Sequence, residues 1–463
     1  MLPGETSTPL PVAAEAYTPP DAPPCRCQKA RRRSSRLIFK ERSLSNSRAI
    51  QDGPLGFFEI LPAEMIYNIL YELSIVDLSI LTIVSKAVRG LVECFMDSKR
   101  GEDRLLLRVS LHQPACQEHH ASLMQHFRRL GVLHKRVTCL YTTRDRLRIM
   151  EQFIRKLDLL SCLSCSNHCL ALTCYGRFLH TVIAGWDEME CLRVYAIINS
   201  HVQRRLTQVL QSTHGCHGDD ELYLRLFYRR VLLDQCEHQL ERAFWLSRML
   251  KPLPMVHQAR MLYLLFGPVC FQEDGAVWLE MGDAESNTPA STVVLAELGS
   301  AIKTLHNYCR EWTEDDIIGV IEEVTALPET WTPENVARLL TLCGENICVK
   351  LLGSKAINGR LEELAEVIVH LAKVCVKEHY STQWVIQVTR RVCRYMDIPA
   401  DRRSFLMAIP QTFKEFLMDM HDDAGEDTDP TDLYYILSSF PLSPILTIPP
   451  PPPGEDTDPT DLY

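Results

Sequence analysis

The chain has 463 residues, 46% apolar and 23% charged, a length and balance that suit two or three packed domains rather than one. Its net charge of −10 hides a basic beginning and an acidic end: residues 1–50 hold nine Lys/Arg against four Asp/Glu, and residues 419–463 hold eleven Asp/Glu and no Lys/Arg. The stretch between is only weakly charged, which argues against a nucleic-acid surface on the folded part. No segment approaches the roughly 18 apolar residues of a membrane span. No basic start followed by an apolar stretch marks a secretory signal. The eighteen cysteines, among them Cys191, Cys270, Cys375 and Cys393 inside apolar helical patterns, are therefore expected as reduced thiols in an intracellular protein, nuclear and/or cytoplasmic.

Residues 1–55 read as a disordered basic arm. Pro-rich sequence (Thr18-Pro19-Pro20, Pro23-Pro24) cannot build a core, and a cluster of Lys29, Arg31, Arg32, Arg33 and Arg36 follows. That cluster is a candidate nuclear-import signal; the plain alternative is a solvated basic tail.

Residues 56–98 predict three short helices. The first starts at Pro62, whose missing N–H costs nothing at a helix start, and repeats apolar residues at Met65, Ile66, Ile69, Leu70 and Leu73. Asp77 is the expected N-cap of the second, which carries Leu78, Ile80, Leu81, Ile83 and Val84. Val88, Leu91, Val92 and Phe95 form a third stripe, with Gly90 as a place where the chain could bend. Three helices of this size cannot hide so much apolar surface from one another. The surplus points to a partner or to docking on the rest of the chain.

Residues 99–420 predict a helical body. Apolar residues recur at three- and four-residue spacing in Leu147–Leu160, Met189–Val202, Leu222–Leu233, Leu240–Leu250, Val256–Phe266 and Leu361–Val376. Gly/Pro/Asn clusters separate them, at Thr213–Gly218, Lys251–Pro254, Gly282–Pro289 and Gly344–Asn346. Leu105–Leu111 and Arg136–Tyr141 are the best strand candidates. Stacked helical hairpins resembling an α-solenoid follow from this spacing, with an irregular helical domain as the alternative. No repeating consensus of 34 to 47 residues is visible, so no named repeat family is supported. Residues 421–463 form an acidic, Pro-rich tail, expected to be disordered, in which Gly425–Tyr434 recurs letter for letter at Gly454–Tyr463.

The run Leu61-Pro62-x-Glu64-x-Ile66-x-x-Ile69-Leu70-x-x-Leu73, followed by Asp77-Leu78-x-x-Leu81-x-x-Val84-Ser85-Lys86 and Leu91, resembles the F-box motif. The likeness covers about 40 residues but keeps residue type and spacing at over a dozen positions. The usual aromatic after the Val-Ser-Lys turn is absent, leaving its place to Val88 or Leu91. The resemblance implies a mainly α protein: a three-helix F-box, then a helical body. It also implies a non-catalytic substrate-recognition subunit of a Skp–cullin–F-box ubiquitin ligase. Its partners would be the Skp adaptor, through it cullin and RING subunits, and a protein client. By matching position, Leu61, Pro62, Ile66, Ile69 and Leu70 would supply the first adaptor-binding ridge. Leu73, Leu78, Val84, Ser85 and Lys86 would supply the second.

Other chemistry is weaker. Cys162-x-x-Cys165-x-x-His168-Cys169, with Cys174 and distant Cys216 and His217, looks locally like half a zinc site, but no second Cys-x-x-Cys completes it. Small thiols facing a helical core are the simpler reading, so no metal or other cofactor is expected. No phosphate-cradling loop, nucleophile elbow or His-Glu-x-x-His is present. Two readings stand beside the ligase subunit. One is a helical scaffold whose F-box-like segment packs internally and recruits no ligase. The other is a zinc-stabilised nuclear protein whose basic arm contacts nucleic acid.

Overall fold

The computed structural model describes residues 54–107, 111, 117–157, 159, 170–272, 275–282 and 289–423. The basic cluster Lys29–Arg36, the cysteine cluster Cys162–Cys169 and the duplicated tail peptide lie outside them. The chain divides into two compact units, Met1–Arg100 and Gly101–Tyr463.

In the first unit, a 3-10 turn (Gly56–Glu59) leads to α1 (Ala63–Glu72), α2 (Ile75–Val84) and α3 (Lys86–Met96). Local chemistry sets these boundaries, with three differences from the sequence expectation. Pro62 is the residue just before α1 rather than its first helical residue. Ser74, not Asp77, caps α2: its hydroxyl accepts from the Asp77 N–H at 3.2 Å and donates to the Asp77 carboxylate at 2.6 Å. Ser therefore takes the cap and Asp the first turn, where its charge meets the positive end of the helix. The chain does not change element at Gly90, because α3 is capped earlier, by Ser85 accepting from Val88 N–H at 3.1 Å, and runs on to Met96.

The second unit is built from α4 (Lys99–Leu106, beginning two residues before the division), α5 (Gln117–Val137), α6 (Thr143–Lys156), α7 (Ala171–Ile183), α8 (Glu188–Gln211), α9 (Gly218–Tyr228), α10 (Gln239–Leu250) and α11 (Met255–Phe266). A π-helical turn, Arg229–Leu233, extends α9. A two-stranded antiparallel hairpin, β1 (Val269–Gln272) with β2 (Gly275–Trp278), follows. Then come α12 (Pro289–Tyr308), α13 (Glu314–Val324), α14 (Pro333–Cys343), α15 (Glu345–Ile357), α16 (Leu361–Lys377), α17 (Thr382–Val392) and α18 (Pro399–Asp423).

From α9 to α16, each helix packs on the helix two further along the chain. That is the neighbour pattern of a solenoid, in which each repeat touches only the repeats beside it. Short, well-specified connections make it possible. Thr313 and Asp316 form a capping box at α13, with N–H···O distances of 2.8 and 3.1 Å. Gly344, at φ +89°, turns α14 into α15 with no intervening loop. A buried Glu334 carboxylate on α14 meets Lys373 at 2.7 Å and Lys377 at 3.4 Å, tying α14 to α16.

Among the described residues neither expected strand forms; residues 108–110 of the first lie outside them. Leu105 and Leu106 end α4, and Arg136 and Val137 end α5, after which Thr138–Tyr141 is a turn. Short apolar runs at a helix C-terminus carry the same alternation as a strand, and period alone cannot separate the two. The hairpin that does form places Cys270 in a strand rather than a helix.

Candidate functional site

The three helices of the first unit are held by contacts among themselves. Arg89 Nε donates to the Thr82 carbonyl at 3.0 Å, fastening α3 to the end of α2. Tyr67 meets Phe95 edge-on at 5.9 Å between ring centres, and the Arg100 guanidinium lies 4.6 Å over the Tyr71 ring while bonding Asn68. Ile66, Leu70, Ile75, Leu78, Val88, Val92, Phe95 and Met96 are buried.

Helix α2 is oriented against its own composition. Its small polar residues Ser79 and Thr82 are buried, and Thr82 Oγ1 donates to the Ser79 carbonyl at 2.7 Å to satisfy itself there. Ile75 and Leu78 are buried beside them, while Ile80 at 48%, Ile83 at 61% and Val84 at 65% exposure face outward. Val76 is exposed too, so Val76, Ile80 and Ile83 make a stripe at i, i+4 and i+7. On α1, Met65 and Ile69 are exposed one turn apart, and Ile60 is exposed just before it. Among the described residues nineteen large apolar side chains are exposed, and seven of them fall within residues 60–84. Isolated exposed aliphatics are ordinary, but this concentration in two short helices marks a surface built to be covered.

The residues singled out from the sequence divide accordingly. Ile69 and Val84 are exposed together with Pro62 and Lys86; Leu61, Leu73 and Ser85 are half-buried, Ser85 serving as the α3 cap. Ile66, Leu70 and Leu78 are buried and present no surface to a partner. Ile60, Met65, Val76, Ile80 and Ile83 complete the exposed set. Their periodicity was visible in the sequence, but the usual rule that polar residues face out would have turned Ser79 and Thr82 to solvent, and α2 buries them. Of the residues weighed for zinc, Cys174 is buried in α7, and Cys216 is exposed with its sulfur 2.9 Å from the Thr213 hydroxyl. Among the described residues no helix is long and apolar enough to cross a membrane.

A small three-helix unit with an aliphatic outer face, followed by a stacked-helix body, defines the class of an F-box protein with a repeat-built body. A family model described as "FBXO47, ARM repeats" matches residues 198–436. F-box only protein 47 of Mus musculus is 40% identical over 373 residues, 79% of this chain and 82% of the mouse protein. F-box only protein 47 of Homo sapiens is 40% identical over 372 residues, 79% and 81% of the two chains. The chain belongs to the F-box only protein 47 family. No solved structure matches it. The match also supplies the repeat type, armadillo, that no sequence consensus revealed: stacking helices share a packing geometry that many different apolar residues satisfy.

Proposed function

We propose that the chain is the substrate-recognition subunit of a Skp–cullin–F-box ubiquitin ligase. In this reading the outward aliphatic residues of α1 and α2 dock the Skp adaptor, and the armadillo body carries the client. The observation that supports it is the inverted burial of α2, with Ser79 and Thr82 inside and Ile80, Ile83 and Val84 outside. A lone unit gains nothing from that arrangement, whereas a partner that covers the face recovers the hydrophobic free energy of every side chain on it. The chain performs no transfer chemistry itself. It raises the effective concentration of a client beside an activated ubiquitin supplied by other subunits. An intracellular site of action, nuclear or cytoplasmic, belongs to this reading, and replacing Arg31, Arg32 and Arg33 tests the nuclear part by loss of nuclear signal.

Co-purification of the full chain with the Skp adaptor and cullin tests the proposal, beside an Ile80→Asp/Ile83→Asp variant. Truncated or charged anchors in a covered apolar interface cost about 2–4 kcal/mol each, roughly 30- to 1000-fold in affinity. The native chain should capture both partners and the variant neither, with equal helical content by circular dichroism. If neither form binds while both stay folded, the scaffold reading replaces this one.

A further inference from the structure

Away from the first unit, a cavity of about 560 Å³ opens in the body, with Arg128, Arg177, His180, Trp186, Glu241 and Trp245 among its walls. His180 sits near the C-terminal end of α7, Glu241 in the first turn of α10, and Cys236 in the short link between the π-turn and α10. Gly176, one turn before His180, lets these elements close up: a methyl group there would collide with the Arg230 carbonyl. One imidazole nitrogen of His180, the Cys236 sulfur and a Glu241 carboxylate oxygen consequently lie within 4.8 Å of one another.

His180 is the buried member of this trio. Its side chain is 8% exposed, and Nδ1 lies 2.9 Å from Glu241 Oε1. Its Nε2 is buried with no hydrogen-bond partner. A buried polar atom left this way costs about 1–3 kcal/mol. Nε2 lies on the far side of the ring from Glu241, so the ring meets the trio through Nδ1, which already sits beside the carboxylate.

We propose that His180, Cys236 and Glu241 form a divalent transition-metal site on the wall of this cavity, taking zinc. Imidazole, thiolate and carboxylate in one set suit zinc and do not suit magnesium or calcium, which take oxygen ligands. Tetrahedral zinc with bonds of about 2.0–2.3 Å holds its ligand atoms about 3.5 Å apart; His180 and Glu241, at 2.9 Å, open slightly to take it, and the longer separations of the trio close by up to about 1 Å. Three protein ligands leave a fourth position for water from the cavity. On binding, the Cys236 thiol loses its proton to solvent and the sulfur, now a thiolate, takes up the metal; no electron is transferred. In the metal-free state the Cys236 hydrogen goes to the Leu232 carbonyl at 3.1 Å, and burial together with the nearby Glu241 charge pushes the thiol up.

The test is metal content of the purified full chain after dialysis against a weak chelator, for the native protein, Cys236→Ser and Cys309→Ser. Reading the difference between variants excludes any zinc held elsewhere in the chain. The native protein and Cys309→Ser should hold one zinc more than Cys236→Ser. Cobalt added to the native protein should give a thiolate-to-cobalt charge-transfer band that Cys236→Ser lacks. Glu241→Gln, at a partly exposed position, serves if Cys236→Ser melts early, and should weaken metal retention at least tenfold. Equal zinc in native and Cys236→Ser proteins, or no cobalt band in the native protein, overturns the proposal.

Discussion

Helix α2 of the first unit and helix α16 of the body are both dominated by aliphatic residues, yet α16 buries nearly all of them and α2 leaves more than half of its own outside. Helix α16 puts Leu364, Ala365, Val367, Ile368, Val369, Leu371, Ala372 and Val374 inside and leaves Glu362, Glu363 and Lys377 outside. Helix α2 puts Ser79 and Thr82 inside beside Ile75 and Leu78, and leaves Val76, Ile80, Ile83 and Val84 outside. A solenoid helix has neighbours on both sides along the stack, so nearly all its apolar surface finds cover. The comparison teaches that aliphatic content alone does not place a helix in a core. Which side turns inward is the functional information, and in α2 it leaves an aliphatic face that the helices of its own unit do not cover.

Substitutions on the two sides of this contrast should behave differently, beginning with the body core. Phe178 stacks on Phe153 with ring centres 4.0 Å apart and is fully buried. Phe178→Ala should cost about 3–5 kcal/mol in urea denaturation, the usual result of emptying a large buried site. A loss under about 1 kcal/mol would mean that this core is loosely packed.

The same core holds His134, edge-on to both rings at 5.3 and 5.1 Å. Burial, and then the charge of Lys156, lowers its imidazole to about 3. In the unfolded chain it titrates near 6.5. Above that pH both states are neutral there and stability is unaffected. Below it only the unfolded chain takes the proton, so stability falls as the pH drops toward about 3. Between pH 7 and pH 5 this amounts to about 1–2 kcal/mol at roughly 1.4 kcal/mol per unit. Burial, followed by a nearby cation in each case, also lowers His214 and His370 to about 4, so they add to the slope. His134→Leu should reduce the difference between urea midpoints at pH 7 and pH 5 without abolishing it.

In the first unit the effects are smaller. Ser74→Ala removes the cap of α2 and should cost about 1 kcal/mol, read as a lower thermal midpoint with unchanged adaptor binding. Ile80→Asp/Ile83→Asp should leave stability within about 0.5 kcal/mol per site, as exposed substitutions do. A strongly destabilised double variant would place those side chains in a core instead.

Much of this organisation was legible in the sequence. The three short helices, the helices of the body and the Gly344 break follow from period and from turn residues. The described parts of the two strand candidates fall at helix ends, and the hairpin of β1 and β2 is too short for its alternation to stand out. On α2, Leu78 and Ile80 are equivalent as letters; only three-dimensional packing separates buried Leu78 from exposed Ile80. His180, Cys236 and Glu241 were missed for another reason. They sit on a helix, a link and a second helix, and no local motif joins them.

The most direct measurement is the calorimetric dissociation constant of the full chain for the Skp adaptor, native against Ile80→Asp/Ile83→Asp, at matched thermal midpoints. The account predicts binding by the native chain and at least about 100-fold weaker binding by the variant, since each anchor is worth about 2 kcal/mol or more. Equal affinity in the two proteins would contradict it, as would the absence of binding in a folded native chain.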